Sequence, residues 1–276
     1  MAFAANSVLC RLALGSAAID AASFTTVRLA SGALMLSLVA VSFGKKVPPL
    51  RSYKPLSALL LFLYAAAFSY AYTNLSTGTG ALVLFGSVQA TMLAVALRSG
   101  ERPHAFEWAG LLLALGGLVY LVFPGLEFAP PLGSSTCMAV AGVSWGLYSL
   151  RGRSSGDPLA DTNANFVLAL PPAFALNLLA LRGDAHASPT GIMLAVLSGA
   201  LASGLGYVVW YTALRGLTAT RAATVQLAVP VLAAAGGVLF MSERVTLRLL
   251  LAALLILGGI ALALLGRTQA ARMKTV

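Results

Sequence analysis

The chain has 276 residues, of which 59% are hydrophobic and only 9% charged, with a net charge of +10 and a mean hydropathy of +0.89. A soluble domain carries about 25% charged residues, so the composition excludes a water-facing globular protein. The basic residues sit in short turns between apolar runs, which argues against a nucleic-acid surface despite the charge.

Backbone groups in hydrocarbon must bond internally, which leaves helices or closed barrels. The apolar runs are continuous and rich in Leu and Ala, without barrel-type alternation, and so predict an all-α integral membrane protein. Ten transmembrane helices are expected, at about 1–16, 24–43, 55–74, 78–97, 105–123, 132–150, 162–181, 190–214, 220–241 and 246–266. The intervening turns carry Pro and Gly, as in Lys45-Lys46-Val47-Pro48-Pro49, Ser99-Gly100-Glu101-Arg102-Pro103, Ser154-Ser155-Gly156-Asp157-Pro158 and Ser188-Pro189. The start lacks a basic n-region and Arg11 interrupts its apolar stretch, so a cleavable signal peptide is not expected. Cys10 and Cys137 lie in different apolar segments, with no partner motif.

Basic residues orient the chain. With the N-terminus cytoplasmic, the inner loops hold Lys45, Lys46, Arg51, Lys54, Arg98, Arg102, Arg151, Arg153, Arg215, Arg221, Arg267, Arg272 and Lys274. The outer side keeps Arg182, Arg244 and Arg248, with Arg11 and Arg28 near helix ends. Both termini are therefore expected on the cytoplasmic side of a bacterial inner membrane.

The chain also repeats itself. An offset of 142 residues places Glu101-Arg102 on Glu243-Arg244, Gly116-Gly117 on Gly258-Gly259, and Leu75, Ala81 and Leu97 on Leu217, Ala223 and Leu239. Two five-helix repeats result, 1–123 and 132–266, followed by a basic tail at 267–276. Five is odd, so the second copy is inverted in the membrane, a pattern typical of transporters whose halves exchange roles as gates. Phe3 falls on Trp145 in this register, so the first helix looks short at its start.

The run Tyr211…Leu217…Ala223…Pro230…Gly237…Glu243-Arg244…Gly258-Gly259 resembles the second-half hairpin of the drug/metabolite transporter superfamily, in its EamA-type ten-helix members. Asn6, Arg11 and Arg28-Leu29 are similar to that family's first hairpin, while Phe3 and Ser87-Val88 depart from it. The resemblance covers essentially the whole chain. It implies two five-helix halves around a central cavity, and export of small metabolites, most often amino acids. It also implies that the first, third, fourth, sixth, eighth and ninth helices line that cavity.

No His-Glu-x-x-His, nucleophile elbow or phosphate loop occurs, and His104 and His186 lie in loops, so neither catalysis nor a metal or cofactor is expected. Asp20, Glu101, Glu107, Glu127, Asp157, Asp161, Asp184 and Glu243 all fall in turns or at helix ends. Proton-coupled pumps usually hold an intramembrane carboxylate, so transport down a gradient is the expectation. Glu101 and Glu243 read as caps or loop ion pairs.

The candidate cavity-lining residues are Gln89, Tyr64, Tyr72, Phe85, Trp145, Tyr148, Tyr207, Tyr211, Gln226 and Asn6. For Gln89 and Gln226 the competing role is an interhelical hydrogen bond. For Tyr148, Trp210 and Tyr211 it is the interfacial aromatic belt, and for Asn6, Asn163 and Asn177 a cap or interface position. Arg28 is expected to pair with Asp20, with a substrate carboxylate as the alternative partner. Pro171, Pro172 and Pro230 are expected to break the seventh and ninth helices and to serve as hinges. Small residues at Ser198-Ala202-Gly206 and Ala200-Gly204 suit close packing of the eighth helix. The expected partners are a small-molecule substrate and the lipid bilayer, with a monomer or weak dimer as the assembly. The alternatives are a nucleotide-sugar or sugar-phosphate exchanger, for which the core lacks phosphate-binding Lys or Arg, and, from other classes, a membrane-embedded enzyme, a channel or a purely structural membrane protein.

Overall fold

The computed structural model describes residues 1–44, 54–75, 77–122, 131–180, 183, 185–232 and 247–273. In chain order they form α1 (Ala2–Gly15), α2 (Ala21–Ser42), α3 (Pro55–Tyr72), α4 (Thr77–Arg98), α5 (Ala105–Val122), α6 (Leu132–Gly152) and α7 (Pro158–Ala180). There follow α8, a continuous span over Pro189–Leu214, then α9 (Ala219–Gln226) and α10 (Leu247–Met273). Among the described residues no β-strand forms, and this is an all-α membrane protein. Four described helices, Ala21–Ser42, Pro55–Tyr72, Pro158–Ala180 and Pro189–Leu214, are long and apolar enough to cross a bilayer.

Helix starts follow capping chemistry. Asp20 accepts hydrogen bonds from the backbone N–H of Ala22 (3.0 Å) and Ser23 (2.9 Å), so α2 begins at Ala21, three residues before the apolar run predicts. Asp157 accepts from Ala160 N (3.2 Å) and Pro158 opens α7, four residues earlier than expected. Ser188 and Thr218 cap α8 and α9 through Gly191 N (3.1 Å) and Arg221 N (3.3 Å).

Two expectations about helix interiors need correction. Pro171 and Pro172 do not break the seventh helix, because α7 runs through them from Pro158 to Ala180. It is anchored just beyond the pair, where Thr26 Oγ1 of α2 donates to the Ala173 carbonyl at 3.0 Å. Pro230 does coincide with an interruption, but it falls at Leu227, and helical turns resume over 228–232. The ring of a helical proline crowds the carbonyl four residues back, which here is Gln226, the last residue of α9. The Glu243-Arg244 turn lies outside the described residues.

Helix α8 holds a further surprise. Ser198–Leu205, which the sequence suggests is regular α-helix, is wound as a π-helix. The small residues of this stretch pack against α1 and α2. A Cβ at Gly199 would lie 2.0 Å from the Arg28 carbonyl oxygen, and one at Gly206 would lie 2.6 Å from the Ala2 Cβ. Polar contacts then lock α2 to α7, with Ser37 Oγ donating to Asn163 Oδ1 (3.1 Å) and Asn177 Nδ2 to Ser23 Oγ (3.3 Å). Asn163 and Asn177 thus occupy the interface positions expected of them.

The helix pair α5 and α10 also meets backbone to backbone. A Cβ at Gly259 would sit 2.5 Å from the Gly110 carbonyl oxygen, and one at Gly110 would sit 2.4 Å from the Gly259 carbonyl oxygen. A Cβ at Gly117 would sit 2.9 Å from the Leu255 and Ile256 side chains, whereas Gly116 and Gly258 have open space. Gly259→Ala should therefore force the pair apart and destabilise the protein by about 1–3 kcal/mol. Gly258→Ala on the same turn should be neutral or slightly stabilising. Thermal unfolding of both variants in detergent checks this contrast.

Candidate functional site

Helices α1, α3, α6, α7 and α8 bring a set of rings together. Tyr64, Phe68 and Tyr72 share one face of α3, Trp145 and Tyr148 one face of α6, and Tyr207, Trp210 and Tyr211 one face of α8. The Trp145 ring is the hub. Its centroid lies 4.9 Å from Tyr64, 4.8 Å from Tyr207, 5.2 Å from Phe3 and 5.9 Å from Tyr148. Phe166 of α7 joins through Tyr207 at 5.8 Å, and Tyr211 through Tyr148 at 5.4 Å. Such offset and edge-on pairs form a cohesive wall of flat surfaces.

Tyr148, Trp210 and Tyr211 are buried between α6 and α8, and so do not form an outward-facing belt. Tyr211 Oη donates to the Tyr148 carbonyl at 3.2 Å, Trp210 Nε1 to Ser149 Oγ at 3.4 Å, and Asn165 Nδ2 to Tyr148 Oη at 3.4 Å. The Tyr211 ring fits only because Gly152 lacks a side chain, since a Cβ there would be 2.1 Å from it.

The polar candidates divide around this wall. Trp145 Nε1 donates to Gln226 Oε1 at 2.6 Å, and Gln226 Nε2 reaches Met92 Sδ at 3.1 Å. Gln89 Nε2 donates to the Ala223 carbonyl at 2.6 Å, while its buried Oε1 has no hydrogen-bond partner. Asn6 Oδ1 accepts from Ser198 Oγ in the π segment. Tyr72 extends the α3 face away from Trp145, touching Phe68 at 4.7 Å and abutting Gly80. Phe85 is buried on α4 but makes no ring contact with the cluster among the described residues. Pro171, Pro172 and Pro230 contribute no group to it.

The sequence reading misplaced Arg28. Asp20 is spent on capping α2 and on His186 N (3.1 Å), and it does not pair with Arg28. The Arg28 side chain is instead fully enclosed, at 1% exposure, beside the rings. Its Nε donates to Ser203 Oγ at 2.9 Å, and its Nη2 to Tyr207 Oη at 2.9 Å and Tyr64 Oη at 3.5 Å. Its guanidinium lies 5.3 Å from the Tyr64 ring centroid and 5.7 Å from that of Phe68. Phe3, Phe68, Phe166 and Ser203 also belong to this neighbourhood and were not singled out as lining residues. The available signal was a lone cation eight residues into an apolar helix.

Comparison with known proteins fits this architecture. Residues 134–265 match the EamA-like transporter family. The chain is 54% identical to the "Uncharacterized protein PA1977" of Pseudomonas aeruginosa over 267 residues, covering 97% of this chain and 92% of the relative. It is 31% identical over 265 residues to the threonine/homoserine exporter RhtA of Escherichia coli K12, covering 93% of this chain and 85% of RhtA. The chain belongs to the EamA-type family of the drug/metabolite transporter superfamily. It is a transporter, not an enzyme. Another relative in Escherichia coli K12, described as "Probable amino-acid metabolite efflux pump", is 29% identical over 75% of this chain and 76% of its own. A crystal structure sharing 22% identity superposes with a TM-score of 0.78 over 97% of this chain and 96% of the other, which establishes a common fold.

In this EamA-type protein both ends of the helix assembly are tied. At one end, Glu101 accepts from the backbone of Ala219 (3.1 Å) and Thr220 (3.4 Å) at the start of α9, and from Arg153 Nη1 (3.3 Å). Glu101 therefore fulfils both roles expected of it, cap and ion pair, for a helix 118 residues away. Arg221 Nε meets Glu107 at 3.2 Å and Lys54 Nζ meets Asp161 at 2.9 Å nearby. At the other end, the turn before α2 pairs with the turn before α8 through Ile19 and Ala187, and Ser188 N donates to the Ala18 carbonyl at 2.8 Å.

Burial alone would raise the Glu101 pKa, but the hydrogen bonds from Ala219, Arg153 and Thr220 outweigh it and hold the carboxyl below its ordinary 4.5. A depressed folded-state pKa contributes stability that is complete above the unfolded value and disappears as pH falls through the folded one. Asp20 is shifted the same way: burial raises it, and the bonds from Ser23, His186 and Ala22 prevail. The unfolding temperature in detergent should thus fall on acidification below about pH 4.5. Glu101→Gln should lower it at pH 7 and weaken that acid dependence, with Asp20 supplying the remainder.

Proposed function

We propose that this transporter exports small metabolites, namely amino acids with aromatic or apolar side chains, across a bacterial inner membrane. The observation that carries the reading is the buried aromatic and polar cluster where α1 and α3 of the first half meet α6 and α8 of the second. Flat rings offer stacking to an apolar side chain, and the buried amides and hydroxyls can exchange their mutual bonds for bonds to a polar head group. The named exporter among the relatives, RhtA, gives independent support for amino acids.

The mechanism proposed is alternating access. Ten spans are arranged as two inverted five-helix repeats with both termini cytoplasmic, and the halves rock about the cluster. Packing around the glycines supports the repeat. Gly117 faces Leu255 and Ile256, and its repeat image Gly259 faces Ala114, the image of Ile256. The ties at the two ends are then the inner and outer gates, broken in alternation. Every described acidic residue lies at a helix end or in a turn, which supports transport down a gradient.

Uptake of labelled amino acids into proteoliposomes, with and without a pH gradient, tests this. At least one aromatic or apolar amino acid should enter without any gradient. No uptake of any amino acid overturns the substrate class, and strict dependence on the pH gradient overturns the facilitator mechanism. Gln89→Ala should raise the apparent KM about fivefold, the worth of one hydrogen bond of about 1 kcal/mol. An unchanged KM and rate would remove Gln89 from the site.

A further inference from the structure

We propose that Arg28 is the anchor for the substrate's carboxylate, and that the substrate is recognised by its carboxylate and not by its ammonium group. The inference rests on the export reading and names the head group that the same site takes. An arginine side chain stays protonated under all physiological conditions. Arg28 carries that charge in a fully enclosed position on α2, and its hydrogen-bond and ring partners are all neutral: Ser203 Oγ, Tyr207 Oη, Tyr64 Oη and the rings of Tyr64 and Phe68. The ion pairs Lys54–Asp161, Arg153–Glu101 and Arg221–Glu107 do not include it. A buried charge inside a membrane protein is costly unless paired.

The guanidinium is also incompletely used. Ser203 and Tyr207 occupy Nε and Nη2, Tyr64 is only a distant acceptor at 3.5 Å, and the buried Nη1 has no hydrogen-bond partner. Nη1 and Nη2 together present the forked edge that matches a planar carboxylate. Gly199 allows the π segment to close against the Arg28 backbone, which brings Ser203 within reach of Nε. A ligand bound there places its carboxylate on Arg28 and its body against Tyr64, Phe68 and Tyr207.

Among the described residues nothing comparable awaits an ammonium group. Among the described residues each carboxylate lies in a turn or in the first turn of a helix: Asp20, Glu101, Glu107, Asp157 and Asp161. Ion pairing with a substrate cation inside the cluster is therefore absent, and a zwitterion and its des-amino analogue meet the same anchor.

The full-length protein in detergent reports binding directly, because Trp145 lies within the cluster and its fluorescence changes when a ring stacks beside it. Three ligands of one shape separate the head groups: phenylalanine, 3-phenylpropionate without the ammonium, and phenethylamine without the carboxylate. Phenylalanine and 3-phenylpropionate should bind with affinities within about threefold of each other, and phenethylamine at least tenfold more weakly. Arg28→Gln should abolish the difference by weakening the two carboxylates at least tenfold, and Arg28→Lys, which keeps the charge without the fork, should fall between.

Phenethylamine binding as well as 3-phenylpropionate to the unmodified protein overturns the proposal, even if Arg28→Gln proves unable to fold. So does a folded Arg28→Gln protein that binds 3-phenylpropionate normally, or an unmodified protein that binds none of the three. The export reading fails separately. If 3-phenylpropionate binds through Arg28 yet no amino acid crosses proteoliposomes, the anchor stands and amino-acid export falls.

Discussion

The enclosed guanidinium of Arg28 imposes conditions on three helices at once. It stands on α2, yet its hydrogen-bond acceptors come from α3 and α8, and its flanking rings from α3. For those acceptors to converge, α8 must lie almost on the α2 backbone, which Gly199 and Gly32 permit and which any larger side chain at either position would prevent. Once Tyr64 and Tyr207 are aimed at the cation, their ring planes are set, and Trp145 settles between them. The aromatic wall is thus a consequence of how a single positive charge is housed, and its geometry is inherited from that charge.

Around this centre the remaining contacts divide by type. Polar side chains knit α2 to α7, where Thr26, Ser37 and Ser23 each reach across. Glycines join α5 to α10 with backbone almost touching backbone. Hydrocarbon offers no hydrophobic drive for helices to associate, so close contact of small residues and interhelical hydrogen bonds must supply it. Among the described residues carboxylates appear only at the helix ends, where they stitch helix starts to distant turns.

Much of this was legible from the residues. Continuous Leu- and Ala-rich runs located the helices, and the i, i+3, i+4 spacing of Tyr207, Trp210 and Tyr211 identified a shared face. Tyr64, Trp145 and Tyr207 were among the cavity-lining candidates, and Tyr64 and Tyr207 accept from Arg28 while Trp145 packs against both. Glu101 was recognised as a cap or ion-pair residue, although not which helix it caps, because the partner lies 118 residues away and nothing local encodes it. Arg28 was misjudged for a geometric reason. Asp20 is the nearest acid in sequence, but eight residues of helix separate the two by about 12 Å, and a residue committed to the first turn of α2 cannot also serve its interior. The tract Ser198–Leu205 carries no compositional mark of its unusual winding, since small residues suit tight packing in a regular helix equally well. The pair Pro171-Pro172 was overread: a proline weakens one turn, and α7 has enough lateral contacts to continue through it.

The π segment of α8 has a consequence for how the helix presents its two ends. Before it, Gly191, Ala195 and Ser198 are the buried positions, in ordinary helical step. Continued unchanged, that step would next bury residues 202, 206, 209 and 213. Ala202 and Gly206 are buried as that step requires, but beyond them Trp210 and Leu214 are turned inward, while Val209 is 69% exposed and Ala213 is exposed as well. The phase has advanced by one residue, or about 100° around the axis. The wide turns act as a one-residue insertion absorbed without a loop, so that a single rod shows small residues to α1 and α2 along one stretch and a row of rings to α6 along the next. Deleting one residue within 198–205 would restore the regular winding and leave both faces in place.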